Sequence, residues 1–302
     1  MALPIDWLQF KAYLLQRMTE RSAMQRIRYA KKFYWILLSS PQQPDKAQVL
    51  LQTSGDKRIH VMKAMSSLAR FLGLVPRWQE IRQRHCLRWT TGNEKLNAFQ
   101  RFFSIDDSKS LDSMIRWVRD VLNVLPAQMG EVIKWNTLTG MRPMESLQAI
   151  KLIKNPATFK TYYNTDRQCL QHFKFPEIFF RRTNTMYITI VNEQLLRIAQ
   201  NAMYNPSYDR IRYACANTYR LQCHMAYCRK LYSSWLRQSG IESEIVDLLS
   251  GRVPKSVFTR HYFTPYITHY RDNVLKAVEK LRRELEAGEY EKEKRVRTLG
   301  MC

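Results

Sequence analysis

Acidic side chains are scarce in this 302-residue chain, with 26 Asp and Glu against 49 Lys and Arg. No apolar run approaches the roughly 18 residues of a membrane span, so no membrane is expected and a cytoplasmic chain is. The N-terminal "MALPIDWLQFKAYLLQRM" carries charged residues inside its apolar pattern, which reads as an amphipathic helix and not as a signal peptide. The six cysteines form no C-x-x-C pair, and the six histidines show no ligand spacing. Neither set suggests a metal site, and the thiols are expected to be reduced and packed as small hydrophobes. No carboxylate cluster of the kind a metal-dependent nuclease uses is visible, and no internal repeat. No cofactor is expected.

What the chain has in excess is positive charge, a formal +23. Such a surplus implies a large anionic partner, and nucleic acid fits better than an anionic membrane because the basic residues are scattered through folded-looking segments and form no terminal polybasic tail. The 45% hydrophobic and 12% aromatic content is that of a folded protein, and the length suggests two domains.

Residues 1–105 read as helical throughout. "SAMQRIRYAKKFYWILLSS" places Ser22 as an N-cap and Met24, Ile27 and Tyr34 on an apolar face, with Arg26, Arg28, Lys31 and Lys32 supplying charge. In "DKRIHVMKAMSSLARFLGL", Asp56 is the expected cap and Gly73 the stop. Ile59, Met62, Met65, Leu68 and Leu72 form its stripe, with Lys57, Arg58, Lys63 and Arg70 outside it. Arg28, Lys32, Lys57, Arg58 and Lys63 are the candidate DNA contacts of this domain. A Ser- and Asp-rich stretch within "SIDDSKSLDS" marks a linker over 106–113. Beyond it, helices resume until two β-rich runs, Glu177–Phe180 and Met186–Val191, flank "RRTNT". These predict a hairpin with Arg181 and Arg182 at its tip, where they could meet DNA. The chain then returns to helix, with breaks at Pro206, Gly240 and Gly251, and ends in an exposed helix and tail over 271–302. That helix has an apolar seam at Val274, Val278, Leu281 and Leu285, and a Glu279–Arg283 pair. The seam suits either a second protomer or the helix's own domain. The fold class expected is mainly α with a small β-hairpin or sheet (α+β).

Three stretches hold chemistry-bearing residues in a setting more rigid than a surface loop. In "LTGMRPMESLQAI", a Thr139-Gly140 turn precedes Arg142, and Pro143 fixes the entry of a helix. In "CHMAYCRKLYSSWLRQSGI", Arg229 opens a helix that Gly240 terminates. In "GRVPKSVFTRHYFTP", Gly251-Arg252 is followed ten residues later by Tyr262, a phenol in strongly cationic surroundings.

In this order, the three stretches resemble the boxes of the tyrosine recombinases, most closely the integrase branch of archaeal viruses and plasmids. "TGMRPMES" looks like the first-arginine box, "YCRKLYSSWLRQSGI" like the second, and "LLSGRVPKSVFTRHYFTP" like the closing box, with an arginine where many bacterial members have histidine. The resemblance covers about residues 110 to 270, and implies a catalytic domain over 114–270 behind a helical core-binding domain. It implies Tyr262 as nucleophile and Arg142, Arg229 and Arg252 as phosphate ligands. His261, adjacent to Tyr262 and so pointing in a different direction, reads as a phosphate or backbone contact and not as a catalyst. Tyr266 and Tyr270 are the other nearby phenols. Two positions depart from the family pattern. The residue three before the second arginine is Ala226, leaving His224 as a substitute. The hairpin turn has no lysine, leaving Lys174 as the nearest general acid.

The resemblance further implies double-stranded DNA with attachment-type sites as partner, assembly of four protomers on it, and a setting at the host cell's nucleoid. It implies cleavage and rejoining through a 3′-phosphotyrosine, without metal or ATP. Guanidiniums can hold non-bridging phosphate oxygens bidentately, and a positive field eases deprotonation of a phenol whose ordinary pKa is about 10. A type IB topoisomerase, which rejoins the same strand, and a DNA-binding protein with a decayed site remain the alternatives.

Overall fold

The computed structural model describes residues 5–38, 46–89, 110–181, 184–205, 207–218, 220–221, 223–252 and 267–299. The chain divides into two compact units, residues 1–105 and 106–302. Both are basic. The first has 18 Lys and Arg against 6 Asp and Glu, a net +12, and the second 31 against 20, a net +11.

In the first unit, Trp7–Leu15 begins at Asp6, whose carboxylate accepts from the N–H groups of Leu8 at 2.9 Å and Gln9 at 3.0 Å. The next helix, Glu20–Phe33, starts two residues before the expected cap. Thr19 holds the N-cap position, and its hydroxyl donates to Ser22 Oγ at 3.1 Å. The face turned inward is Ala23, Ile27, Ala30 and Phe33, whereas Met24 and Tyr34 are exposed. Alanine, not methionine, forms the seam because this helix packs closely on Gly55–Phe71. That partner helix begins at Gly55 behind Ser54, so Asp56 lies inside it and is not its cap. Met62, Met65 and Leu68 are buried as expected, joined by Val61, Ala64 and Ala69, while Ile59 and Leu72 are only half-buried. Gly73, at φ +71°, turns the chain out of the helix, and Leu74 N–H closes back on Ala69 O at 2.7 Å. Val75–Arg84 then adds Trp78 and Ile81 to the core.

The second unit starts with Leu111–Val124, capped by Ser110 Oγ on Ser113 N–H at 3.1 Å, so the last three residues of the expected linker are helical. Its centre is Ala127–Thr139, buried from Val132 through Thr139 on every side. A helix enclosed all round is a core helix. Even its Lys134 is drawn in, reaching Glu131 at 3.3 Å and Glu286 at 3.4 Å. Around it lie Pro143–Lys154, Glu193–Asn201, Met225–Gln238 and the long Ile267–Leu299.

The β-structure is small, and its pairing differs from the expected hairpin. Strands β1 (Tyr163–Asn164) and β2 (Cys169–Gln171) form an antiparallel pair, and β5 (Ile188–Ile190) joins the far side of β2 with Leu170 opposite Thr189. The first of the two β-rich runs is mostly a short helix, Pro176–Phe179, because Pro176 at its start favours a helical turn. Strands β3 (Phe180–Arg181) and β4 (Asn184–Thr185) form a separate antiparallel pair.

The terminal helix is not free-standing. Val274, Val278, Leu281 and Leu285 are all buried in the core of their own unit, with Ala277 between them. Full burial of such side chains contributes about 1.5–3 kcal/mol each, so this seam is already occupied and does not serve a second protomer. Arg283 meets Glu279 at 3.0 Å, as the spacing requires. Cys169, Cys215 and Cys228 are buried free thiols, Cys223 is half-buried and Cys86 exposed. Among the described residues no group of His, Cys, Asp and Glu could hold a metal ion, and no helix is long and apolar enough to cross a membrane.

Candidate active site

Arg142 owes its position to the turn before it. Gly140 ends the central helix at φ +62°, and a Cβ there would fall 2.2 Å from the Tyr232 ring. Only glycine supplies that conformation beside that ring. Two residues on, Arg142 is the N-cap of Pro143–Lys154, with Pro143 at the first helical position. Glu145, 1% exposed, accepts from the Arg142 backbone N–H at 3.2 Å and from its guanidinium at 3.0 Å. The arginine is thereby held at both ends while a quarter of its side chain stays open to solvent.

Arg229 lies in the first turns of Met225–Gln238 and ties two distant loops together. Its Nη1 donates to Gly140 O at 3.0 Å, and its Nη2 to Ser250 O. Burial, then the positive charge of Arg142, then that of Arg252 outweigh the opposing pull of Glu145 and hold its pKa down to about 10. The guanidinium is still charged at neutral pH. Arg252 follows Gly251, which sits at φ +67° with the Thr185 carbonyl where a Cβ would be, 1.9 Å away. The Thr185 backbone thus closes directly against Gly251, the residue before Arg252. Arg252 is 67% exposed and pairs only loosely with Asp247, at 3.3 Å.

The charges of Arg142 and Arg252, from two other stretches, therefore both act on Arg229, while a buried carboxylate, Glu145, pairs with Arg142 and a half-buried one, Asp247, with Arg252. Mutual repulsion among fixed cations is relieved when a multiply charged anion enters, and a phosphodiester in its transition state is such an anion.

His224 is the N-cap of the Arg229 helix, and its ring stacks on Tyr227 at 4.8 Å with Trp117 at 6.0 Å. Lys174 is exposed on a 3₁₀ turn, donating to Thr161 O at 3.2 Å. Its charge acts on Cys169, and it is not among the groups that shift Arg229. Arg181 has its backbone in β3, and its side chain, like Arg182, lies outside the described residues. So do His261, Tyr262 and Tyr266.

Two described phenols, Tyr270 and Tyr232, are held harder to ionise than an ordinary tyrosine. Tyr270 meets Glu242 at 3.3 Å, and desolvation followed by that negative charge raises its pKa. Tyr232 is fully buried and raised well above its ordinary value by desolvation, although Arg229 opposes this. In the first unit Arg28, Lys32, Lys57 and Lys63 are exposed, whereas Arg58 is half-buried with an unpartnered Nε. Arg26 is structural, donating to Ser67 Oγ at 2.8 Å and to the Lys63 carbonyl.

The sequence reading did not single out Glu145, Asp247 or Ser250. Glu145 had a readable signal, a carboxylate three residues past an N-cap. Ser250 contributes only a carbonyl and had none. No protein-family model, curated protein or solved structure matches this chain.

Proposed function

We propose that the chain is a DNA strand-cleaving and rejoining enzyme of the tyrosine-recombinase type. The observation that carries this reading is the convergence on Arg229 of Arg142 and Arg252, with Arg229 itself fixed between the Gly140 and Ser250 carbonyls. Such a site holds the non-bridging oxygens of one phosphodiester. The Tyr262 phenolate then attacks phosphorus. A Tyr–O–P bond forms, the P–O5′ bond breaks, and the 5′-oxygen leaves as a hydroxyl, taking from water a proton that replaces the one the phenol gave up to it. Reversal by another strand's 5′-hydroxyl restores the DNA and frees the tyrosine, so no external energy source is required.

Duplex DNA with attachment-type sites is the substrate in this reading, gripped by both basic units, and four protomers assemble on two duplexes. In this reading the protein works where DNA is, at the nucleoid of a host cell. The test is a duplex nicked just beyond the cleaved phosphate, so that the released fragment diffuses away, incubated with chelator. A covalent adduct on a denaturing gel supports the reading, and duplex binding with no adduct counts against it. Exchange between two labelled duplexes then separates a recombinase from a topoisomerase that rejoins only its own strand.

A further inference from the structure

One cationic surface of the second unit lies outside the arginine site. The short helix Tyr208–Tyr213 buries Tyr208 and Ile211 and turns Arg210, Arg212 and Tyr213 to solvent. Arg210 and Tyr213 are three residues apart, so they share a face. The helix runs into a single π-helical turn, Ala214–Thr218, and two residues later Arg220 stands at φ +54°. A left-handed arginine and a π turn are uncommon local choices that cluster where chains bind ligands. Among the described residues none of Arg210, Arg212 and Arg220 has an ion-pair partner, although acidic side chains quench many other arginines of this unit. Two of the most exposed large hydrophobic side chains of the second unit lie in the same stretch of chain, Tyr204 at 78% and Tyr213 at 69%.

We infer that this segment binds an unpaired strand of DNA. Arginines alone would suit any phosphate backbone. Exposed phenol rings add something that a duplex cannot use, because its base faces are already stacked on one another. An unpaired strand offers both a backbone for Arg210, Arg212 and Arg220 and free base faces for Tyr213 and Tyr204. In the proposed reaction the strand released by cleavage is of this kind. The surface itself does not depend on that reaction and stands or falls separately.

The experiment uses the full chain and oligonucleotides carrying 5-iododeoxyuridine, which crosslinks to stacked aromatic side chains under long-wave ultraviolet light. The crosslinked peptide is then located by mass spectrometry. With a single-stranded oligonucleotide, crosslinks fall on Tyr213 or Tyr204. With the same sequence as a duplex, they are lost there. Tyr213→Ala lowers the yield at that peptide about tenfold, as expected for loss of one stacked base, while Tyr213→Phe, which keeps the ring, retains it. Arg210→Ala with Arg212→Ala lowers it too and makes it less sensitive to salt. Crosslinks confined to the first unit, or equal crosslinking of Tyr213 by duplex and single strand, would overturn the inference. Neither result bears on whether the arginine site cleaves DNA.

Discussion

Gly140→Ala is the substitution that probes the site most sharply without removing any charged group. Its cost has two separable parts. The left-handed backbone, φ +62°, disfavours any L side chain by about 1–2 kcal/mol. The new methyl would also lie 2.2, 2.6 and 2.8 Å from three atoms of the Tyr232 ring, against the 3.4 Å at which ordinary contact begins. Tyr232 is 1% exposed and cannot swing into solvent. Forcing atoms into a filled core costs a further ~1–3 kcal/mol. Gly240→Ala supplies the control, because Gly240 shares the left-handed backbone, φ +84°, yet has nothing within 4 Å of its Cβ position. Urea unfolding followed by far-ultraviolet circular dichroism should place Gly240→Ala about 1–2 kcal/mol below wild type, and Gly140→Ala lower again by the clash term. Because the Gly140 carbonyl anchors Arg229, Gly140→Ala should also slow adduct formation where Gly240→Ala does not. Equal losses of stability in the two variants, within ~0.5 kcal/mol, would refute the close-packing argument.

Arg229→Lys should lower adduct formation about a hundredfold or more, since an ammonium cannot span two carbonyls and a phosphate as a guanidinium does; a rate within about threefold of wild type would count against its role. His172 gives a pH prediction. It is fully buried between the Tyr162 hydroxyl at 2.7 Å and the Thr189 hydroxyl at 2.8 Å, and burial holds its pKa down to about 3, against 6.5 when unfolded. Between those values the unfolded chain binds the extra proton, so stability is full above pH 6.5 and falls by up to ~1.4 kcal/mol per pH unit below it. His172→Gln should flatten that slope between pH 6.5 and 5, as measured by urea midpoints. Lys57→Ala and Lys63→Ala should each weaken duplex binding on all sequences alike and reduce the log–log salt slope by about one, which titrations at several salt concentrations would check.

The parts of the site that could be read in the sequence are those where one residue type has one physical use. Gly140, Arg142 and Pro143 are of this kind, since a left-handed turn, a held cation and a fixed helix entry follow from the residues alone. Gly73, Gly240 and Gly251 were legible for the same reason, each adopting positive φ at a helix end or just beyond it. What escaped was decided by packing between segments far apart in the chain. Strands of two or three residues carry too little alternation to reveal that Ile188–Ile190 pairs with Cys169–Gln171 and not with the run next to it. Ala23 and Ala30 displace Met24 from the core because a neighbouring helix comes close, which periodicity does not report. The Arg229 anchor at Ser250 is a carbonyl, a group that every residue has.

The central claim is that Tyr262 becomes covalently joined to DNA beside Arg142, Arg229 and Arg252. The most direct measurement traps the adduct on a nicked duplex, digests the protein and finds by mass spectrometry which peptide carries the nucleotide. The account predicts a 3′-phosphonucleotide on Tyr262, absent when Tyr262→Phe is used and retained in Tyr270→Phe. A nucleotide on any other residue, or none at all while duplex binding is intact, would contradict it.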